Sequence, residues 1–141
     1  MRLRILVADD NHDNANSSAL LLELHGHEVR IAYSGGAALA IAAEFVPQLA
    51  LIDVRMPELN GYEVARRMRA EKWGKDILMV AVSGLGQVAD KSEAETAGFD
   101  LHLAKPLEPQ DLIAAVVRLA HRKARAQPVV EASLGGRNFP T

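Results

Sequence analysis

The chain has 141 residues, of which 49% are hydrophobic and 24% charged, with a net charge of −2 and no cysteine. That length holds one domain with a real core, the composition is that of an ordinary globular protein, and the charge gives no global pull toward nucleic acid or an anionic membrane. Disulfides, thiol catalysis and cysteine-based zinc sites are excluded, no apolar run reaches the ~18 residues of a membrane span, and the first apolar run meets Asp9-Asp10 too soon for a secretory leader, which makes the cytoplasm the expected compartment.

Short apolar runs alternate with helical patterns. Leu3 to Ala8 reads as a strand that stops at two aspartates. Asn11 to Leu24 reads as a helix, with Asn11 or Asp13 able to cap it and Ala15, Ala19 and Leu22 on one face. Gly26 ends it. Val29 to Ala32 is a second strand, and Ser34 caps a second helix whose inner face is Ala38, Ile41, Ala42 and Phe45, punctuated by Pro47. Leu49 to Ile52 is a third strand that again ends at an aspartate, Asp53. Val54 to Asn60 is a loop, and Tyr62 to Arg69 a helix with Val64 and Met68 one turn apart. Ile77 to Val82 is the strongest strand and runs into Ser83-Gly84. Gln87 to Ala97 is predicted as a fourth helix, closed by Gly98. Leu101 to Ala104 is a fifth strand, followed by Lys105-Pro106. Glu108 to Arg122 is the last helix, with Leu112, Ala115, Val116 and Leu119 facing inward. From Lys123 the periodicity is lost, so residues 1–122 are expected to form the domain and 123–141 a poorly ordered tail or linker.

Five strands alternating with five helices predict an α/β fold with a parallel sheet covered on both faces, doubly wound because crossovers are right-handed. Ligands of such folds bind at the carboxyl ends of the strands. Those ends carry Asp9-Asp10, Asp53, Ser83 and Lys105. Three carboxylates close together cannot all stay ionised without a cation, and an all-oxygen donor set favours Mg²⁺. A carboxylate beside Mg²⁺ and a lysine is also a nucleophile suited to phosphoryl transfer.

Taken with their spacing, Asp9-Asp10, Leu51-Ile52-Asp53-Val54-Arg55-Met56-Pro57, Ser83-Gly84 and Lys105-Pro106 resemble the signature of response-regulator receiver domains over about residues 3 to 122. The resemblance implies a flavodoxin-like sheet in the order 2-1-3-4-5. It implies a phosphorylation-controlled switch in two-component signalling, with Asp53 as phosphoacceptor from the phosphohistidine of a histidine kinase or phosphotransfer protein. Asp10 would ligate Mg²⁺ directly and Asp9 mostly through water, with Asp53 and the Arg55 backbone carbonyl completing the protein ligands. Ser83 and Lys105 would contact the phosphoryl oxygens, and Lys105-Pro106 would be a cis peptide. Such a chain is a phosphoacceptor that assists its own phosphorylation and dephosphorylation rather than an enzyme acting on a separate substrate. Where the family usually has Tyr or Phe as the switch partner of Ser83, this chain has His102.

Other readings carry less. An unphosphorylated interaction module of the same fold would not need the full acid-Ser-Lys set. Gly84 to Ala89 matches the dinucleotide fingerprint G-x-G-x-x-G/A, but sits in the fourth unit, not the first. A phosphatase with an aspartate nucleophile would want an acid where Arg55 stands. His25-Gly26-His27 reads as a polar turn rather than a metal site, and His121 to Arg125 as a charged last turn that suits the helix dipole. About twenty residues follow the last helix, which fits either a single-domain regulator or a receiver excised from a longer protein such as a hybrid kinase.

Overall fold

A computed structural model of the chain describes residues 1–84 and 95–126, the last four of them as backbone. Its sheet has five parallel strands, β1 (Arg4–Ala8), β2 (Glu28–Ala32), β3 (Leu49–Asp53), β4 (Leu78–Ser83) and β5 (Leu101–Ala104), in the order β2-β1-β3-β4-β5. β3 and β4 are buried at every position. A parallel strand covered on both faces has no solvent side, which is why both read as unbroken apolar runs rather than as alternation.

Alternate residues of these strands feed two separate cores. Ile5, Val7, Leu49, Leu51, Val80 and Val82 pack with Ala15 and Leu22 of α1 (His12–Leu24) and with Leu112, Val116 and Leu119 of the C-terminal helix (Pro109–Ala126). On the other face Leu6, Ala8, Ala50, Ile52, Met79 and Ala81 pack with α2 (Gly35–Phe45) and α3 (Gly61–Ala70). Each of the first three helices has a side-chain cap at its start: Asn11 accepts from Asn14 N–H, Ser34 from Ala37 N–H and Asn60 from Glu63 N–H.

The inner faces read from the periodicity are buried, except that Ile41 is only half-buried. Asn11, not Asp13, is the cap of α1. α2 stops at Val46, which adopts a left-handed φ of 45° ahead of Pro47; the guanidinium of Arg4 donates to the Val46 carbonyl at 2.8 and 3.2 Å and holds it there. A short 3-10 turn, Lys72–Gly74, was not expected from periodicity. β4 runs one residue later than its apolar run suggests, through Ser83. The fourth helix expected over Gln87 to Ala97 lies mostly outside the described residues. Its last turn, 95–97, is helical, and Gly98 closes it at a φ of +102°. The C-terminal helix continues past Arg122 to Ala126; residues 127–141 of the expected tail lie outside the described residues. Among the described residues no helix is long and apolar enough to cross a membrane.

Candidate functional site

The period of two along a strand decides which side chains meet at the carboxyl edge. Asp9, Asp53 and Lys105 each continue the row of the α1-side core, following Val7, Leu51 and Leu103. They therefore leave the sheet on the same side. Lys105 Nζ lies 2.9 Å from Asp53 Oδ2 and 3.5 Å from Asp9 Oδ2. Asp53 and Asp9 are buried, at 4% and 7% exposure, and Asp10 is exposed. One carboxylate oxygen from each of Asp9, Asp10 and Asp53 lies within 4.8 Å of the others.

The chain after Asp53 is folded back to frame it. Arg55 N–H donates to Asp53 Oδ1 at 3.2 Å, and Gly61 N–H to the Val54 carbonyl at 2.9 Å. Gly61 sits so close that a Cβ there would stand 2.5 Å from the Asp53 carbonyl oxygen and 2.8 Å from Val54 Cα. No side chain fits between α3 and the strand end, so a glycine is required at the start of that helix. On the opposite wall Asn11 N–H donates to Asp9 Oδ1 at 2.9 Å.

A cleft of about 450 Å³ opens here, bounded by Asp10, Asn11, Asn14, Asp53, Arg55, Gly84 and Lys105, with Asp9 lining an adjoining hollow. Its electrostatics are unbalanced. The Asp9 carboxyl is pushed up to about 6, first by burial; Asn11 N–H works against this, Asp53 reinforces it, and Lys105 opposes it. Burial works to lower Lys105, but its hydrogen bond and ion pair with Asp53 and its attraction to Asp9 prevail and raise it. Among the described residues, the Lys105 ammonium and the Arg55 guanidinium on the rim face three carboxylates, which leaves an excess of negative charge at hard oxygen donors. That is the donor set and the charge a small divalent cation such as Mg²⁺ takes, and it can keep several waters. The residues present therefore fit the ion.

Of the residues singled out in the sequence, the fold brings Asp9, Asp10, Asp53 and Lys105 together, with Arg55 on the rim. Ser83 closes the neighbouring strand, but its hydroxyl is turned to His102, with Oγ 2.7 Å from Nε2. Lys105-Pro106 is cis, as the resemblance implies. Asn14 was not singled out in the sequence, yet it lines both this cleft and an adjoining hollow of about 390 Å³ floored by Val7, Leu51 and Val82. Its place on the first turn of α1, four residues after Asp10, is the signal that could have found it. His25 and His27 do not form a site: His27 is buried and its Nδ1 accepts from Leu3 N–H at 3.1 Å, while His25 Nδ1 lies 3.0 Å from the Leu21 carbonyl. Of the dinucleotide-type fingerprint only Gly84 is described; 85–89 lie outside the described residues.

Comparison with known proteins agrees with this geometry. A model of the response regulator receiver domain matches residues 5–117. The DNA-binding dual master transcriptional regulator RpaA of Synechocystis is 31% identical over 122 residues, 86% of this chain and 51% of that protein. This chain thus spans about half the length of that relative, and likewise of response regulator MprA of Mycobacterium bovis, which is 33% identical over 122 residues and covered to 52%. Protein PilH of Pseudomonas aeruginosa is 31% identical over 113 residues, 80% of this chain and 93% of that protein. Among solved structures, a CheY-like response regulator receiver domain protein from Methanospirillum hungatei superposes with a TM-score of 0.83 at 26% identity, covering 90% of this chain and all of that one. With its five parallel strands in the order 2-1-3-4-5 and its acid-lysine edge, the chain belongs to the receiver domains of two-component response regulators.

Proposed function

We propose that this receiver is a phosphorylation-controlled switch in which Asp53 accepts a phosphoryl group from a phosphohistidine on a histidine kinase or phosphotransfer protein. The observation that carries the reading is the position of Asp53: buried at the end of the central strand, 2.9 Å from the Lys105 ammonium and within 4.8 Å of the Asp9 and Asp10 carboxylates. In the transfer an Asp53 carboxylate oxygen attacks phosphorus, the phosphorus–nitrogen bond of the donor breaks, and an acyl phosphate results. The leaving imidazole keeps the bond's electron pair.

The part of the protein is position and electrostatics. Lys105 neutralises charge on the transferring group. The Arg55 N–H fixes one carboxylate oxygen of Asp53, and Gly61 lets α3 pack against the strand end so that the carboxylate stays where it is aimed. Asp9, Asp10, Asp53 and the Arg55 carbonyl would hold Mg²⁺, which when bound offsets the negative charge of the carboxylates and of the phosphoryl oxygens. Ser83 and Lys105 would contact those oxygens, and Ser83 with His102 would carry the change to the surrounding surface. Residues 1–122, with the last helix running on to Ala126, form the switch in this reading, the residues beyond it a tail or linker, and the protein acts in the cytoplasm through protein contacts.

The test is phosphotransfer. A phosphotransfer protein loaded with labelled phosphohistidine should pass an acid-labile label to this chain in the presence of Mg²⁺, and peptide mapping should place it on Asp53. A chain that stays unlabelled by every histidine donor and by acetyl phosphate would be an interaction module instead.

A further inference from the structure

Ser83 and His102 occupy adjacent strands, with Ala81 opposite His102 and Ser83 opposite Ala104. Side chains two apart share a face, so Ser83 and His102 are diagonal neighbours, a separation that a ring can bridge. The residues directly across from each are alanines, which leave the imidazole room to lie over toward Ser83. It does so, and Oγ stands 2.7 Å from Nε2. Ser83 is 4% exposed, so little water competes for the hydroxyl.

A hydroxyl carries one proton and two lone pairs. Asp53 pairs with Val82, so Ser83 lies one residue beyond the acceptor on the next strand, and the Lys105 amide donates to its carbonyl at 2.7 Å. Once Asp53 is phosphorylated, the new oxygens bring about two negative charges and call for donors. Ser83 is then the hydroxyl at the neighbouring strand end, but its oxygen is engaged by the ring. An apolar ring at position 102 would offer it no polar partner; the histidine does.

We propose that His102 is a positioning residue that holds the Ser83 hydroxyl off the phosphoryl site, so that this hydrogen bond must open before Ser83 can serve Asp53. The inference rests on the phosphoacceptor reading above and adds a brake to it. The brake needs a polar side chain at position 102, and it acts only through Ser83.

The experiment is a titration of the full chain with beryllofluoride and Mg²⁺, an acyl-phosphate mimic, followed by NMR at the Arg55 amide and at the His102 ring nitrogens. Opening one buried hydrogen bond costs enough to predict that His102→Phe tightens the mimic by about two- to tenfold. His102→Gln, whose amide can again partner the hydroxyl, should return the affinity toward that of the unsubstituted chain. In a Ser83→Ala background His102→Phe should change nothing. In the unsubstituted chain the Nε2 resonance should move when the mimic binds, because the ring loses its partner. Weaker binding in His102→Phe would overturn the brake and mean that the ring donates through Ser83. An equal effect with and without the Ser83 hydroxyl would also overturn it, by reducing His102 to bulk. If the Arg55 amide moves while Nε2 stays still, this inference alone fails; if the unsubstituted chain does not bind the mimic at all, the phosphoacceptor reading fails and takes this one with it.

Discussion

The two edges of the sheet treat charge in opposite ways. At the amino edge, ahead of β5, Asp100 is fully answered: Oδ2 accepts from Arg69 at 3.1 Å and from the Met79 amide at 2.8 Å, and Oδ1 from Arg122 at 3.1 Å. Arg69 donates further to the Gly98, Gly74 and Lys75 carbonyls. One carboxylate there meets two guanidiniums and a backbone amide. At the carboxyl edge, among the described residues, three clustered carboxylates face the Lys105 ammonium, which touches only Asp9 and Asp53. A satisfied network ties elements together, whereas an unsatisfied one is kept only where something else is meant to complete it. The amino edge holds the fold, and in the proposed function the carboxyl edge is where a cation and a phosphoryl group would complete the charge balance.

The largest effect that separates the edges is on chemistry. Asp53→Asn should abolish stable labelling by acetyl phosphate with Mg²⁺, because the amide is no nucleophile and cannot form the acyl phosphate. Asp100→Asn should label as the unsubstituted chain does, per folded molecule. Intact labelling of the Asp53 variant, measured as acid-labile phosphate, would move the acceptor elsewhere.

Stability should sort the other way. Asp100→Ala leaves the Met79 amide and Arg69 without their acceptor, and losing one partner of a half-buried charged network costs about 1–2 kcal/mol. Urea melts should show that loss. Asp10→Ala, which relieves repulsion at an exposed carboxylate, should cost nothing or stabilise slightly in the absence of divalent ions. If both substitutions destabilise equally, the edges are not different in kind.

Mg²⁺ sharpens the contrast. At about 100-fold excess over its dissociation constant a ligand of the folded state adds roughly 2.7 kcal/mol. That increment should appear in melts of the unsubstituted chain and of Asp100→Ala, and should largely vanish in Asp10→Ala. Melts that are identical in EDTA and in Mg²⁺ would remove the ion from the site.

The site was legible in the sequence because strands of a parallel sheet end together, so residues far apart in the chain, such as Asp9, Asp53 and Lys105, are collected by topology alone. The amino edge was not. Asp100 and Arg69 look like two surface charges 31 residues apart, and only the return of the chain at Gly98, whose +102° φ turns its carbonyl onto the guanidinium, makes them partners. The left-handed Val46 was hidden for a related reason: a β-branched residue there is unfavourable on its own, and its compensation comes from Arg4, on another element. The Ser83–His102 contact could be expected as a pairing of positions, but its hydrogen bond depends on a ring tilt that no spacing encodes.

The smallest expected effect belongs to His27, which the sequence offered only as part of a polar turn. The ring is buried beside the first residues of β1 and β2, and its Nδ1 accepts the Leu3 N–H, which a doubly protonated ring could not do. Burial lowers its pKa from the usual 6.5, and the positive charges of the N-terminus, His25 and Arg2 push the same way. The unfolded chain therefore takes up this proton at a higher pH than the folded one. The stability His27 contributes is complete above about pH 6.5 and is lost as pH falls from there toward the folded-state value, at a rate of at most about 1.4 kcal/mol per pH unit. His27→Gln keeps an acceptor for Leu3 N–H but cannot titrate, so the difference in unfolding free energy between it and the unsubstituted chain should shift in favour of the variant on going from pH 7 to pH 5.5. A difference independent of pH would show that the folded ring accepts its proton as readily as the unfolded one, and would return His27 to the solvent-facing turn that its neighbours suggest.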